Sequence, residues 1–384
     1  MSTKRKTALK KLAFLGEEAR FEVSDRESGG ESDLGRPGED PHKFIYRAAA
    51  GKGPIPILKI LLTNACDKNC LYCANRCSRS TKRYSFQPGE LARLFHRLRE
   101  AGKVSGIFLS SGIPHSPEKV MGKMLKTVEA IRFDYGFQGY IHLKILPQVS
   151  FGYVKRAAEL ADRLSINLEA PNQARLNSLT PDKEFDSLLR RMNWIDGLSQ
   201  KESLPAGYTT QFVIGAAGET DREILSTVGD LRDRFSPRRS YFSPFRPVEE
   251  TPLDGLPPAE EGRERRLYRA DFLLRDYGFK LEDIPFREDD SLAGGDPKQA
   301  AARTHPEWFP VEVNRARKKE LLRVPGIGPK SAQRVISMRK EGKIRSLNDL
   351  KGSGAIIGRC APYILINGKR PQEDRFPDQL PLWN

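Results

Sequence analysis

The chain has 384 residues, of which 38% are hydrophobic, with five cysteines and a formal net charge of +15. This length and apolar content suffice for two or three domains with real cores. No run of about eighteen apolar residues occurs, and the basic N-terminus lacks the apolar stretch of a secretory signal. We therefore expect a cytoplasmic protein with no membrane partner.

Residues 1–50 are predicted to form a flexible N-terminal extension, because SDRESGGESDLGRPGEDPHK is polar and rich in glycine. Over residues 51–250, short strand-like runs alternate with amphipathic helical stretches. The predicted strands are ILKILLT (57–63), GIFLSSG (106–112), YIHLKIL (140–146), RLSINLEA (163–170), TTQFVIG (209–215) and RSYFSPF (239–245). This alternation indicates a parallel sheet with helical crossovers.

Six strand–helix units predict an α/β fold, a partial (β/α)6 barrel, with its chemistry at the carboxyl ends of the strands. The sequence then changes character. Residues 251–310 are predicted to be a helical and extended linker that contains one amphipathic helix, GRERRLYRADFLLRDYGF. Residues 311–368 are predicted to form a compact, basic, all-helical domain, and residues 369–384 a flexible tail.

Four of the five cysteines fall within twelve positions, directly after the first barrel strand. Cys66, Cys70 and Cys73 have the spacing C-x3-C-x2-C, and Cys77 follows. Thiols this close together indicate metal or cluster ligation rather than a disulfide framework. A zinc site using all four cysteines is the alternative, although structural zinc usually pairs two C-x2-C units further apart. Three thiolates can hold three irons of a cubane cluster and leave the fourth iron open for a small molecule.

Together with Tyr72, which precedes the last cysteine of the motif, this spacing resembles the signature of the radical S-adenosylmethionine (SAM) superfamily. The resemblance implies a 4Fe–4S cluster on Cys66, Cys70 and Cys73, with SAM on the open iron. It also implies a 5′-deoxyadenosyl radical and an electron donor such as a flavodoxin or ferredoxin. Cys77 is left out of the ligand set, because a fourth thiolate would block SAM.

Weaker motifs extend the resemblance over roughly residues 55–250. SSG and the fifth-strand segment TQFVIGAAGET are similar to SAM-binding motifs of the superfamily, and polar residues on the third and fourth strands suit contacts to ribose or carboxylate. The resulting cofactor-binding residues are Tyr72, Ser110, Ser111, Gly112, Lys144, Asn167, Glu169, Ile214 and Gly215. Lys144 is also a candidate for a substrate phosphate. Tyr241, Phe242 and Arg246 are candidates for stacking on or pairing with an extruded base.

The segment LLRVPGIGPKSAQRV predicts a helix that ends at Arg323, a glycine turn, and a new helix from near Lys330. Two glycines allow a tight turn that presents backbone N–H groups to an anion. The segment resembles a helix-hairpin-helix motif, and LNDLKGSGAIIGRCA resembles a degenerate second hairpin. The DNA-binding residues implied are Gly326, Ile327, Gly328, Lys330, Ser331, Gly352 and Gly354.

The same region is the most basic part of the chain. Between Arg315 and Arg370 there are fifteen Lys or Arg residues against three acids, so these 56 residues carry +12. A concentrated positive charge beside a hairpin turn favours contacts with nucleic acid backbone, and such contacts position a protein without reading bases. A hairpin that only packs the domain or binds protein is the alternative.

The order of the two regions resembles a largely uncharacterised prokaryotic group of radical SAM proteins assigned to DNA modification or repair. That group is associated with a partner related to uracil-DNA glycosylases. The resemblance implies a radical SAM enzyme acting on DNA, with catalytic residues that the motifs do not identify. Radical SAM modification of tRNA or rRNA, and a non-catalytic iron–sulfur DNA-binding protein, are the alternatives.

The last residues suggest one further partner. Gln379, Leu380, Leu382 and Trp383 resemble the short peptide by which bacterial repair proteins bind the sliding clamp. Such peptides lie in polar tails and fold into a groove on binding. The alternative is that these apolar residues pack on the protein itself.

Overall fold

The structure is a computed structural model that describes residues 3–19, 45–48, 54–201 and 204–371. Contacts divide the chain into two compact units. The described residues within Met1–Glu219 and Asp230–Glu261 form the first, here called the barrel unit. Those within Thr220–Gly229 and Gly262–Asn384 form the second, here called the helical unit. Among the described helices, none has the length and hydropathy needed to cross a bilayer.

In the described part of the barrel unit, seven strands form one curled sheet whose spatial order follows the chain. The strands are β1 Ile45–Ala48, β2 Ile55–Leu61, β3 Gly106–Ser110, β4 Tyr140–Lys144, β5 Arg163–Ser165, β6 Tyr208–Ile214 and β7 Arg239–Pro244. Strands β2 to β7 are parallel to their neighbours, which confirms the predicted partial barrel. Strand β1 runs antiparallel along the edge of β2, with Ile45 opposite Leu58, and was not predicted.

The helices of this region lie in the connections between the parallel strands, except for the first, which precedes β1 in the chain. They are α1 Thr3–Glu18, α2 Pro88–Glu100, α3 Pro117–Glu129, α4 Phe151–Leu160, α5 Gln173–Asn177, α6 Phe185–Ser199 and α7 Asp221–Arg234. A π-helical turn, Ala130–Asp134, continues α3. Ser116 caps α3, since its hydroxyl accepts a hydrogen bond from the Lys119 amide at 3.4 Å.

Helix α1 differs from the flexible segment predicted for residues 1–50. Leu12 and Leu15, which lie three residues apart on one helical face, are buried. Lys11 forms an ion pair with Glu90 of α2 at 2.7 Å, and the Phe14 ring lies 5.0 Å from that of Tyr84. The apolar spacing in ALKKLAFLG was therefore sufficient for a packed helix, although its basic residues obscured the pattern.

The two faces of the sheet differ in chemistry, because alternate side chains of a strand point to opposite faces. One face carries fully buried apolar residues, Leu58, Ile60, Ile107, Leu109, Ile141 and Leu143. The other face carries Lys59, Phe108, His142, Lys144 and Arg163. Cα register places Lys59 beside Phe108, Phe108 beside His142, and His142 beside Arg163.

The helical unit is built on its own apolar core, which includes Val313, Leu321, Val324, Val335 and Leu350. Its helices are α8 Arg263–Asp276, α9 Pro297–Thr304, α10 Lys318–Arg323, α11 Pro329–Glu341, α12 Leu347–Gly352 and α13 Ile357–Cys360. Helix α8 matches the amphipathic helix predicted in the linker. The predicted all-helical domain also contains a small parallel sheet, in which β8 Val311–Glu312 pairs with β9 Ile364–Leu365.

Candidate cofactor site and nucleic-acid interface

The cysteine loop begins at the carboxyl end of β2 and lies directly against the end of β3. The Leu62 amide donates to the Ser110 carbonyl at 2.8 Å, and the Gly112 amide donates to the Thr63 carbonyl at 2.7 Å. A Cβ at Gly112 would collide with the Ala65 carbonyl oxygen. Glycine is therefore required there for close approach, which places the predicted SSG motif beside the cysteines.

Cys66, Cys70 and Cys73 are half-buried and lie close enough to influence one another. Burial raises the pKa of both the Cys70 and Cys73 thiols, and each also responds to the neighbouring thiols. The Asn75 amide donates to Cys73 Sγ at 3.4 Å, which favours the thiolate. To act as ligands these thiols must lose their protons, and the positive charge of a metal centre favours that loss.

The four cysteines of the loop differ in their exposure. Across the described residues, no group of three Cys, His, Asp or Glu converges as one metal ion requires. A zinc ion needs all its donors within about 2.3 Å of one point, whereas a cubane binds each cysteine through a different iron. Cys77 is exposed, with Sγ 3.9 Å from Asn69 Oδ1. The three half-buried thiols are therefore the ones that would hold the predicted 4Fe–4S cluster, and the exposed Cys77 stays outside the predicted ligand set.

A buried carboxylate, Glu169, lies next to this loop. Its Oε1 is 2.8 Å from Lys183 Nζ, and the Asn167 amide group donates to Oε2 at 3.4 Å. The Tyr72 hydroxyl also donates to Glu169, and burial together with the Glu169 charge and this hydrogen bond raises the Tyr72 pKa. Burial opposes the charge on Glu169, but Lys183 and Lys144 hold its pKa below the ordinary value. Glu169 therefore bonds to two other residues predicted for SAM binding, Tyr72 and Asn167, and is influenced by a third, Lys144. Its ion-pair partner Lys183 was not predicted.

Lys183 was missed because it lies in a polar turn with no motif, and only the fold carries it to the cysteines. The turn is bonded to the loop: the Leu71 amide donates to the Leu179 carbonyl at 2.8 Å, and the Asn69 amide donates to Asp182 at 2.7 Å. Burial lowers the pKa of Lys183, but Glu169 outweighs it and keeps the ammonium charged. That charge favours the thiolates of Cys70 and Cys73.

Other residues predicted to contact SAM occupy the ends of β3 and β6. Ser110 and Ile214 are buried, and the Ser111 hydroxyl donates to the Gly112 carbonyl at 2.7 Å. Gly215 has a φ of +92°, and a Cβ there would lie 2.7 Å from that of Ala259. These contacts fix the local backbone, and the roles of these residues toward SAM stay predictions.

Two of the candidates for base stacking, Tyr241 and Phe242, lie in the interior of the protein. Tyr241 is 3% exposed and Phe242 is fully buried, with its ring 6.3 Å from that of Phe212. These rings belong to the interior of the barrel unit, so neither is presented for stacking on an extruded base.

In the helical unit, the first hairpin joins α10 to α11 as predicted. Gly326 has a φ of +83°, and Gly328 caps α11. Lys330 is exposed, whereas Ile327 and Ser331 are buried. The turn is anchored from beneath by Lys298, whose Nζ donates to the Ile327 carbonyl at 2.6 Å. The surface that can meet a phosphate therefore consists of Gly326, Gly328 and Lys330.

The second hairpin joins α12 to α13, and its turn contains Gly354 but not Gly352. Gly354 has the same φ of +83° as Gly326, and Ile356 caps α13 as Gly328 caps α11. Gly352 is the last residue of α12. The Ile356 amide donates to the Gly326 carbonyl at 3.0 Å, so the two turns are bonded to each other. The second hairpin therefore has Ile356, which is 54% exposed, at the position where the first hairpin has Gly328.

A basic groove lies beside the second hairpin. It has a volume of about 920 Å³, and no acidic residue occurs among its described lining. Its basic residues are Arg345, Lys351, Lys369 and Arg370, which are all exposed. The predicted positive charge is thus concentrated next to a hairpin turn, where it can attract a phosphate backbone.

Comparison with known proteins agrees with this geometry. Residues 60–231 match the radical SAM superfamily, and residues 309–354 match a helix-hairpin-helix motif. The chain contains a radical SAM domain and a helix-hairpin-helix motif. Members of the superfamily use a 4Fe–4S cluster and SAM, which confirms the predicted cofactors.

Two curated proteins with different names are similar to part of this chain. The [FeFe] hydrogenase maturase subunit HydE of Thermotoga maritima is 26% identical over 197 residues, covering 50% of this chain and 52% of the relative. The threonylcarbamoyladenosine tRNA methylthiotransferase MtaB of the same organism is 22% identical over 258 residues, covering 65% of this chain and 55% of the relative. The chain thus spans about half the length of the curated relatives it matches.

Among solved structures, methylornithine synthase (PylB) is similar, with a TM-score of 0.45 and 17% identity. The match covers 56% of this chain and 60% of that one.

Proposed function

We propose that this protein is a radical SAM enzyme that modifies or repairs DNA. The observation that carries the proposal is the combination, in one chain, of a three-cysteine loop at the carboxyl edge of a partial barrel and a basic two-hairpin unit. When bound, the cluster and SAM supply a 5′-deoxyadenosyl radical, which removes hydrogen from an unactivated carbon. The chain itself supplies binding, orientation and exclusion of water.

In the barrel unit, Cys66, Cys70 and Cys73 would hold the cluster. The ion pair of Glu169 with Lys183 supports the loop from below and keeps positive charge beside the thiolates. The residues proposed to contact SAM are Tyr72, Ser110, Ser111, Gly112, Lys144, Asn167, Glu169, Ile214 and Gly215. Tyr72 and Asn167 both bond to Glu169, so that carboxylate would fix the orientation of two proposed contacts at once.

In the helical unit, the turn at Gly326 and Gly328, with Lys330, would bind phosphates of one strand. The basic groove beside Ile356 would contact the other strand. Backbone contacts of this type hold a duplex without reading its sequence. Two bonded hairpins favour DNA over RNA, because such pairs are suited to the two strands that flank a minor groove. Ile327, Ser331 and Gly352 then serve the packing of the hairpins rather than phosphate binding.

Three partners accompany this proposal. A flavodoxin or ferredoxin would deliver the electron. A partner related to uracil-DNA glycosylases follows from the resemblance to the DNA modification or repair group. The sliding clamp would bind Gln379, Leu380, Leu382 and Trp383, which lie outside the described residues. If deletion of residues 379–383 leaves retention on the clamp unchanged, the clamp proposal is wrong.

The deciding experiment measures SAM cleavage by anaerobically reconstituted protein with a chemical reductant. We expect 5′-deoxyadenosine from the wild type and from Cys77→Ala, and only background from Cys70→Ala. Duplex DNA and structured RNA are then compared at matched salt, since the affinities depend steeply on salt. Tighter duplex binding and a new nucleoside in DNA digests of the parent strain, absent from a deletion strain, would support DNA as the substrate.

Two outcomes would overturn parts of the proposal separately. Equal background from wild type and Cys70→Ala would leave only a non-catalytic iron–sulfur protein. Preferred binding of RNA, with active SAM cleavage, would keep the radical chemistry and reject DNA as the substrate.

A further inference from the structure

The second hairpin carries an exposed apolar side chain that the packing of the helical unit does not use. Ile356 is 54% exposed, and it belongs neither to the apolar core nor to the half-buried residues packed against that core. Its neighbour Ile357, in contrast, is half-buried and packs on the core. Single exposed isoleucines occur on many protein surfaces, so the surroundings of Ile356 decide whether it can have a role.

The backbone holds Ile356 beside the turn of the first hairpin. Its amide donates to the Gly326 carbonyl at 3.0 Å, and its own carbonyl accepts from the Arg359 and Cys360 amides at 3.0 and 3.1 Å. A Cβ placed on Gly326 would lie 3.3 Å from the Ile356 Cβ. The base of the isoleucine side chain therefore adjoins the turn that is proposed to bind a phosphate.

The surface around Ile356 is basic. Ile356 lines the basic groove of the helical unit together with Arg345, Lys351, Lys369 and Arg370. No acidic residue occurs among the described lining of that groove. Protein interfaces are depleted of lysine and usually pair opposite charges, whereas four cations without an acid attract a phosphate backbone. The charge around Ile356 therefore favours a nucleic acid over a protein as the partner that covers it.

The two hairpins offer different chemistry to one duplex. The first has Gly328 at the cap where the second has Ile356, and it leaves its backbone and the exposed Lys330 open to a phosphate. An isoleucine side chain cannot bond to a phosphate, and its bulk keeps a phosphate away from the backbone beneath it. Apolar side chains of this kind enter the minor groove between base steps, where they partly unstack the bases and kink the duplex.

We propose that Ile356 is an apolar wedge that enters the minor groove of a bound duplex and unstacks one base step. This inference rests on the proposed reaction on DNA, and it specifies the substrate as duplex DNA whose stacking is already weak. The Gly326 turn would hold a phosphate on one side of the wedge, and the basic groove would hold the backbone on the other. Unstacking costs least at a mismatched or damaged pair, so the wedge would direct the protein to such pairs.

The experiment uses the full chain and two duplexes of one sequence, one fully paired and one with a single mismatched pair. Each duplex carries 2-aminopurine next to the varied pair, because the fluorescence of this base rises when it leaves the stack. Anisotropy of an end label gives the Kd for each duplex at matched salt. The two measurements separate binding of the duplex from insertion into it.

We expect the wild type to bind the mismatched duplex about tenfold more tightly than the paired one and to raise the 2-aminopurine emission. Ile356→Ala removes the wedge but no charge. It should bind the two duplexes within about twofold of each other, with no rise in emission and an unchanged salt slope. Ile356→Leu keeps an apolar side chain of the same size and should retain the preference. Phe272→Ala, which removes an exposed apolar side chain of α8 in the same unit, is the matched control and should behave as the wild type does.

The outcomes distinguish the wedge from the function on which it rests. If the wild type binds neither duplex, the reaction on duplex DNA and the wedge are both wrong. If it binds both without preference or rise in emission, or if Ile356→Ala retains both signals, the wedge alone is wrong, and the isoleucine is left to a contact with protein. Because Ile356 lies outside the core, its replacement should leave the unit folded, and an unchanged circular dichroism spectrum verifies this.

Discussion

Gly326 is the residue on which the geometry of the first hairpin depends most directly. Its φ of +83° is unfavourable for a residue with a side chain, and a Cβ there would lie 2.6 Å from the Ile356 carbonyl oxygen. We expect Gly326→Ala to destabilise the helical unit by about 2–4 kcal/mol. The measurement is urea unfolding followed by Trp308 fluorescence, with Trp194 and Trp383 replaced by phenylalanine.

Gly358 is the matched control for that substitution. It is exposed in the same unit, lies in α13, and would meet nothing within 4 Å if it carried a Cβ. Gly358→Ala should therefore change the free energy of unfolding by less than about 1 kcal/mol. Equal effects of the two substitutions would show that the Gly326 turn is not the constrained position that its φ indicates.

Lys298 makes the stability of the helical unit depend on pH. Burial lowers its pKa to about 7, whereas an unfolded lysine titrates near about 10.4. Between these values the unfolded chain binds the extra proton, so stability should rise with pH by up to about 1.4 kcal/mol per unit. Below pH 7 both states are protonated and the slope vanishes.

The measurement for Lys298 is Trp308-detected unfolding between about pH 7 and 8.5, with Lys298→Met as the comparison. Cys360 sets the upper limit, because burial raises its pKa to about 11 and its contribution falls with pH above about 8.5. Tyr277, whose ring also lies beside Lys298, has a pKa that burial raises above its ordinary value, so its hydroxyl stays protonated in this window. A slope that persists in Lys298→Met would assign the pH dependence to another group.

Removing one partner of the ion pair of Glu169 and Lys183 should lower the free energy of unfolding more than replacing both partners. Lys183→Met leaves a buried carboxylate without its cation, and we expect about 3–5 kcal/mol of destabilisation in the cluster-free barrel unit. The double variant Glu169→Gln with Lys183→Met should recover at least half of that loss. Denaturant unfolding followed by Trp194 fluorescence measures both, and additive losses would show that the two side chains are not coupled.

The helices and strands that the sequence predicted are those whose apolar residues repeat at a regular spacing. Strands β2 to β7 were predictable because apolar runs alternate with amphipathic helices, and α8 because its apolar residues repeat at helical spacing. Strand β1 has four residues and pairs antiparallel at an edge, so no such rhythm marks it. The position of the turn in the second hairpin could not be predicted from the sequence either. Glycine spacing suggested a turn around Gly352 and Gly354, whereas Gly352 ends α12 and Ile356 caps α13.

The first hairpin gives a prediction at the scale of an element. Lys330→Glu places an anion at the exposed start of α11, where a phosphate is expected to bind. Affinity for duplex DNA should fall for every sequence alike, and the salt slope should decrease by about 1. Lys343→Glu makes the same charge change in the same unit, at an exposed position beyond the end of α11. Fluorescence anisotropy over a salt series measures both, and equal losses would assign binding to overall charge rather than to the hairpin.

At the scale of the whole molecule, the cofactor residues and the hairpins belong to different compact units. The candidate ligands precede Glu219, and the hairpins follow Gly262 with a separate apolar core. The local charge of +12 also belongs to the second unit. Sequence alone indicated this division through its change of composition. It could not indicate Lys183, since that lysine reaches Glu169 only when the fold brings a distant turn to the cysteine loop.

Because the two units have separate cores, the two activities should be separable by mutation. Cys70→Ala should abolish formation of 5′-deoxyadenosine and leave the Kd for duplex DNA within about twofold of the wild type. Lys330→Glu should weaken DNA binding and leave cluster content and DNA-independent cleavage of SAM unchanged. Anisotropy, iron analysis and product quantification on the same preparations measure all three. If Cys70→Ala and the cluster-free wild type both bind duplex DNA more weakly than the reconstituted wild type, the cluster instead controls DNA binding by the hairpins.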